Sequence, residues 1–169
     1  MNLRARDSAK REAGDDLATN GSEVRPTLRG RLAAWAPAVV WAAIIFYMST
    51  DELSAEHTRS WIEPIVRFFV PSLPDPAFEV IHFVIRKLAH MSEYFMFALL
   101  IDRGCRRGSE LAPARAPLVA WVVAALYSLT DEGHQLLVSS RGASLLDCGL
   151  DSLGAAFAAI FASRGVYLH

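Results

Sequence analysis

Residues 32–50 read LAAWAPAVVWAAIIFYMST, nineteen residues without a charge. An α-helix rises ~1.5 Å per residue, so a run of this length covers the ~30 Å hydrocarbon core of a bilayer. Pro37 stands near its start, where a missing amide hydrogen does least harm. In lipid every backbone N–H and C=O must be bonded internally, and a helix does that within one segment. A soluble helical bundle is the competing reading. The uncharged first span and the basic loops further along argue against it.

Upstream, residues 1–31 are polar and mixed in charge, and are expected to form a disordered cytoplasmic tail. The tail is too long and charged for a signal peptide, and no A-x-A site follows the apolar run. Downstream, residues 51–80 form a long connection. It contains HTRSWIEPIVRFFV at 57–70, with Trp61, Ile65, Phe68 and Phe69 on one side and Arg59, Glu63 and Arg67 elsewhere. Such a piece is expected to lie in the membrane interface. Further spans are predicted at 80–101, 116–136 and 145–163, the last rich in Ala and Gly as suits close packing in lipid. Between them stand a basic loop, RGCRRGSELAPAR at 103–115, and a turn, SSRGAS at 139–144. The expected fold is all-α: an integral membrane four-helix bundle over residues 32–165, with an interfacial amphipathic helix between helices one and two.

The net charge is −1, which gives no pull toward nucleic acid. Placement of the charges carries more. Arg4, Arg6, Lys10, Arg11, Arg25, Arg29 and Arg31 precede the first span; Arg103, Arg106, Arg107 and Arg115 separate the second and third; Arg164 follows the fourth. The positive-inside rule then predicts a multi-pass cell-membrane protein with both termini cytoplasmic. Trp35 and Trp121 near the inner side, and Tyr47, Trp61 and Tyr127 toward the outer, are read as interface anchors. Cys105 and Cys148 fall on opposite sides of the membrane in this topology, so no disulfide is expected.

Helix geometry next places the ionisable residues. Counted from Arg103, Arg115 and Arg164 as inner boundaries, Glu93 lies ~15 Å up its helix, His90 ~20 Å and Lys87 ~24 Å. Asp131 lies ~24 Å above Arg115, with Glu132 and Gln135 just beyond; Asp151 lies ~20 Å and Asp147 ~26 Å above Arg164. Three helices thus bring ionisable groups to the same outer half, and Arg141 closes the cluster from the outer turn. Unpaired charges at such depths are costly, so they should face one another. Lys87, His90 and Tyr94 are assigned one face, Asp131 and Gln135 another with His134 beside them, and Asp147, Asp151 and Gly154 a third. If the groups only staple the bundle, Lys87 would pair with Asp131 and Arg141 with Asp147.

These motifs resemble the VanZ-like family of membrane proteins. The resemblance rests on Lys87-Leu-Ala-His90-Met-Ser-Glu93-Tyr94, on Asp131-Glu132-Gly-His134-Gln135, and on Arg141 followed by Asp147 and Gly154. It extends over roughly residues 33–163 and includes the end of the first span, Tyr47-Met-Ser49-Thr50. Met91 stands where an aromatic residue usually follows the histidine, and Asp151 where Asn is expected. The resemblance implies a small integral membrane protein and a link to low-level resistance to the glycopeptide teicoplanin, the trait of the name-giving member.

For function, the first reading is a pocket in the outer half of the bilayer that binds an anionic or amphiphilic cell-envelope ligand, with membrane lipid or a lipid-linked envelope precursor as partner. Lys87, His90, Glu93, Tyr94, Asp131, Glu132, His134, Gln135, Arg141, Asp147 and Asp151 would line it, and residues 54–70 would form a lid. The second is a membrane-embedded hydrolase or transferase using His90, Glu93, Asp131 and Glu132 in acid–base chemistry. Proton or ion translocation ranks last, because the inner half has no matching polar line. No cofactor and no metal are expected, since Lys87 and Arg141 compete for the carboxylates. Self-association as a homodimer is left open.

Overall fold

The computed structural model of the chain describes residues 27–49, 55–135 and 145–165. Among them no strand occurs, in line with the all-α expectation. Helix α1 spans Leu28–Met48, α2 Ala55–Phe69, α3 Asp75–Gly108, α4 Ala116–Gln135 and α5 Leu145–Ser163; a 3-10 turn, Pro113–Arg115, leads into α4. Most of the expected N-terminal tail and the expected turn at 139–144, with Arg141, lie outside the described residues. Helix α3 is the hub, packing against α1, α4 and α5 and more lightly against α2, while α4 also packs on α5.

Helix α1 begins within the stretch expected to be tail. Thr27 caps it: its Oγ1 accepts the Gly30 N–H at 3.2 Å and its carbonyl accepts the Arg31 N–H at 2.9 Å. Pro37 is therefore interior to the helix, not in its first turn. Without an N–H at Pro37, the Ala33 carbonyl four residues back loses its usual donor. Arg103 of α3 makes up the loss. Its Nη1 lies 2.8 Å from the Ala34 oxygen and 3.4 Å from that of Ala33.

Helix α3 has 34 residues and is ~50 Å long, overrunning the predicted 80–101 at both ends. Its start is set by Pro74 at the cap and Pro76 in the first turn. At the other end, Arg103–Gly108 is helix where a loop is predicted. Arg106 Nε bonds the buried Asp102 carboxylate at 2.8 Å, one turn back. Gly104 and Gly108 pass directly beneath the Trp35 indole, where a Cβ at either would approach the ring to 2.8 Å. Trp35 thus fills an inter-helix contact.

The packing is inverted relative to a soluble bundle. Among the described residues, nine of the fifteen buried apolar side chains are alanines, among them Ala34, Ala38, Ala120, Ala124 and Ala155. Many large apolar side chains face outward, including Val39, Phe46, Phe83, Leu118, Leu126, Leu153 and Phe157. Small residues inside let helix axes approach closely, and bulky ones outside suit a hydrocarbon solvent. Leu28–Met48, Pro113–His134 and Leu146–Ser163 are long and apolar enough to cross a membrane by length and composition. Helix α3, with Arg86, Lys87 and Glu93 in its middle, is not among these three.

Helix α2 is inverted in the same sense. Its charged side chains turn toward α3: Arg59 and Arg67 both bond Glu63, at 3.2 and 2.7 Å, and reach Glu79 and Asp75 of α3. Both guanidinium groups lie over the fully buried Phe78 ring, which stacks on His82. The apolar side chains, Trp61, Ile65, Phe68 and Phe69, are 62–79% exposed.

Candidate functional site

Helix α3 sorts its central residues onto two faces. Arg86, His90 and Glu93 follow i, i+4, i+7 and, with Ala89, face a cavity of about 110 Å³. Ile45, Met48 and Ser49 from the end of α1, Thr58 from α2 and Asp131 from α4 complete its wall. Lys87, Met91 and Tyr94 occupy the adjoining face and meet α5 instead. The Lys87 ammonium bonds the Asp147 carboxylate and lies over the Phe83 ring, 5.1 Å from its centroid. The Met91 carbonyl abuts Gly154, and Tyr94 is wholly buried. Lys87, His90 and Tyr94, expected on one face, are therefore divided. The partner of Lys87 is Asp147, not Asp131.

The cavity wall is fixed by bonds that cross between helices. Trp41 Nε1 donates to the Glu93 carbonyl at 3.0 Å, holding α3 to α1. The Tyr127 hydroxyl donates to the Ala42 carbonyl at 2.8 Å, holding α4 to α1. His90 Nδ1 is 4.0 Å from the Glu93 carboxylate, so the two act as neighbours one turn apart. Thr58 Oγ1 and His82 Nε2 lie 3.3 Å apart beneath α2.

Two donors in this wall stand out. Arg86 makes no hydrogen bond or ion pair with a described residue; Asp147 attracts it through space but is already bonded by Lys87. Ser49 is 2% exposed, and its hydroxyl has no hydrogen-bond partner among the described residues. A buried donor without a partner costs free energy that a ligand or water can recover. Arg86 was not singled out in the sequence, although its i, i+4, i+7 relation to His90 and Glu93 is written there.

Behind the cavity lies an acidic layer. Asp131 and Glu132 of α4 are buried, and Asp151 of α5 is wholly buried with neither oxygen bonded among the described residues. Asp151 is within electrostatic reach of Glu132, Asp131, Asp147 and Glu93. The Tyr94 and Ser128 hydroxyls nearby are also buried and unpartnered. His134 packs its ring on Phe46, centroids 4.4 Å apart. Gln135 closes α4, and Arg141 lies outside the described residues. Among the described residues no group of three or more His, Cys, Asp or Glu is arranged to hold a metal ion. Cys105 and Cys148 are both free thiols.

Outward-facing bulk, an alanine-lined interior and apolar helices are the attributes of a membrane protein. The family model described as VanZ/LLP1 matches residues 34–166, most of the chain. The protein belongs to the VanZ-like family. Neither the curated proteins nor the solved structures contain a match.

Proposed function

We propose that this VanZ-like protein crosses the membrane four times, with both termini cytoplasmic, and binds an amphiphilic cell-envelope ligand in the cavity between α1, α2, α3 and α4. One observation carries the reading: the cavity presents Arg86, a cation without an ion pair to any described residue, beside the unpartnered Ser49 hydroxyl. A guanidinium in that setting recognises phosphate or carboxylate oxygens. The basic residues at Arg103, Arg106, Arg107 and Arg164 support the orientation, and that orientation sets the cavity in the outer half of the bilayer. Helix α2, apolar side outward, would lie at the interface as a lid over the cavity.

The test is to purify the full-length protein in mild detergent and identify co-purifying amphiphiles by native mass spectrometry. Wild type is expected to retain a bound lipid or lipid-linked precursor. Arg86→Ala should lose it while remaining folded and membrane-inserted. Equal retention by the two proteins would falsify the assignment.

A further inference from the structure

We infer that Tyr94, Ser128 and Asp151 form an occluded site for a small monovalent cation, sodium, between α3, α4 and α5. None of the three lines the Arg86 cavity. All are wholly buried, and the Tyr94 hydroxyl, the Ser128 hydroxyl and both Asp151 oxygens have no hydrogen-bond partner among the described residues. Helix directions bring them to one level. Helices α3 and α5 run the same way, with Lys87 bonded to Asp147, Met91 against Gly154 and Phe95 near Phe161. Helix α4 runs against α5: the Cys148 thiol lies 3.8 Å from the Ser128 carbonyl, and Trp121 Nε1 lies 3.2 Å from that of Ser152. A helical side chain leans toward the N-terminus of its own helix. Ser128 and Asp151 therefore lean toward each other between those two contacts, and Tyr94 lies within electrostatic reach of Asp151.

The Ser128 hydroxyl departs from the habit of its neighbours. Ser92, Ser109, Thr130 and Ser163 all turn their hydroxyls back onto carbonyls of their own helices. Ser128 does not, and so keeps its oxygen for the space between helices. A buried carboxylate bonded to nothing is costly, and Lys87 is bonded to Asp147 instead. A water molecule would serve the hydroxyls but leave the charge of Asp151 standing. One monovalent cation cancels that charge exactly once. Two carboxylate oxygens and two hydroxyls make an all-oxygen donor set, which suits hard ions and not soft transition metals. Ala124 and Ala155, one turn from Ser128 and Asp151, are wholly buried and let α4 and α5 approach closely. The confined space favours sodium over the larger potassium ion.

The experiment follows thermal melts of the full chain in an uncharged detergent at fixed ionic strength, with choline chloride replaced stepwise by sodium or potassium chloride. Sodium is expected to raise the melting temperature along a saturating curve, and potassium to do so only at about ten-fold higher concentration. Asp151→Asn should remove the sodium response. Tyr94→Phe and Ser128→Ala should each move its midpoint to higher sodium, whereas Ser92→Ala, whose hydroxyl serves its own helix, should leave it in place. A folded Asp151→Asn protein that still responds to sodium overturns the inference. So does a wild type that responds equally to both ions or to neither. A wild type whose melt answers to pH but not to sodium assigns Asp151 a proton and overturns it as well. The wild-type salt series decides the matter even if a variant misfolds, and none of these outcomes bears on lipid retention at Arg86.

Discussion

Arg103 is a long, charged side chain spent on two backbone carbonyls, and the reason is Pro37. Truncating it strands the Ala33 oxygen, because no amide hydrogen exists at the proline to take its place. Arg103→Ala should therefore cost about 1–3 kcal/mol in wild type. In a Pro37→Ala background, where the helix completes its own bond, the cost should fall by about 1 kcal/mol, a coupling that a double-mutant cycle in denaturant reads directly. The glycines of α4 and α5 give a second contrast. A Cβ at Gly154 would lie 2.2 Å from the Met91 carbonyl, a backbone atom that cannot step aside. Gly154→Ala should separate α3 from α5 and destabilise by about 1–3 kcal/mol. Gly133 and Gly149 have open space around them, so alanine there should be neutral or stabilising by up to ~1 kcal/mol. Thermal melts of the three variants in one detergent test the ordering. Such distinctions were only partly legible in the sequence. The i, i+4, i+7 relation of Arg86, His90 and Glu93 was on the page, yet Lys87 offered an equally regular pattern with His90 and Tyr94. Only the position of α5, which claims Lys87 through Asp147, decides between the two faces.

Helix α2 shows what periodicity reveals and what it conceals. Its two-sided pattern was plain from Trp61, Ile65, Phe68 and Phe69, as were the existence and type of α1, α4 and α5. The direction in which it faces depended on partners elsewhere, namely Glu79, Asp75 and Phe78 on α3. The extent of α3 was hidden for a similar reason, since Arg103–Gly108 reads as a loop until Asp102 and Trp35 are known to hold it. The docking of α2 is electrostatic and should respond to acid. Hydrogen bonds from Arg67, then Arg59, hold the Glu63 carboxyl below its ordinary value. A carboxylate depressed in the folded state contributes its full stabilisation above its unfolded value and loses it as pH falls through the folded one. Contact between α2 and α3 should therefore be constant near neutral pH and loosen below the ordinary carboxylate range, near 4.5 and under. Since the pair is solvent-screened, the loss should be modest and should shrink with added salt. Hydrogen exchange across residues 55–69 as a function of pH follows it, and Glu63→Gln should remove the part of the dependence that Glu63 contributes, leaving the pairs of Arg59 with Glu79 and Arg67 with Asp75 in place.

Taken whole, the described residues combine three helices apolar enough to span lipid with α3, which carries its charges at mid-length. On the proposed four-span reading, packing against α1, α4 and α5 would shelter those charges and let a bilayer hold a helix that hydropathy alone rejects. Reporter fusions after Arg107 and after His169 should both be cytoplasmic, and one inserted near Pro71 should be external; any other pattern contradicts the four-span topology. If the cavity sequesters envelope amphiphiles, expression in a susceptible host should raise tolerance to teicoplanin, and Arg86→Ala should remove the gain. The alanine-filled centre also changes where the protein is vulnerable to substitution. In a water-soluble fold, trimming large residues is what does damage. Here the sensitive changes run the other way: adding one or two methyl groups at Ala120, Ala124, Ala155 or Ala158 wedges helices apart, whereas trimming Leu118, Leu126 or Leu153 exchanges one hydrocarbon surface for another. A saturation library sorted for membrane abundance should therefore tolerate loss of bulk on the outside and reject growth at the centre.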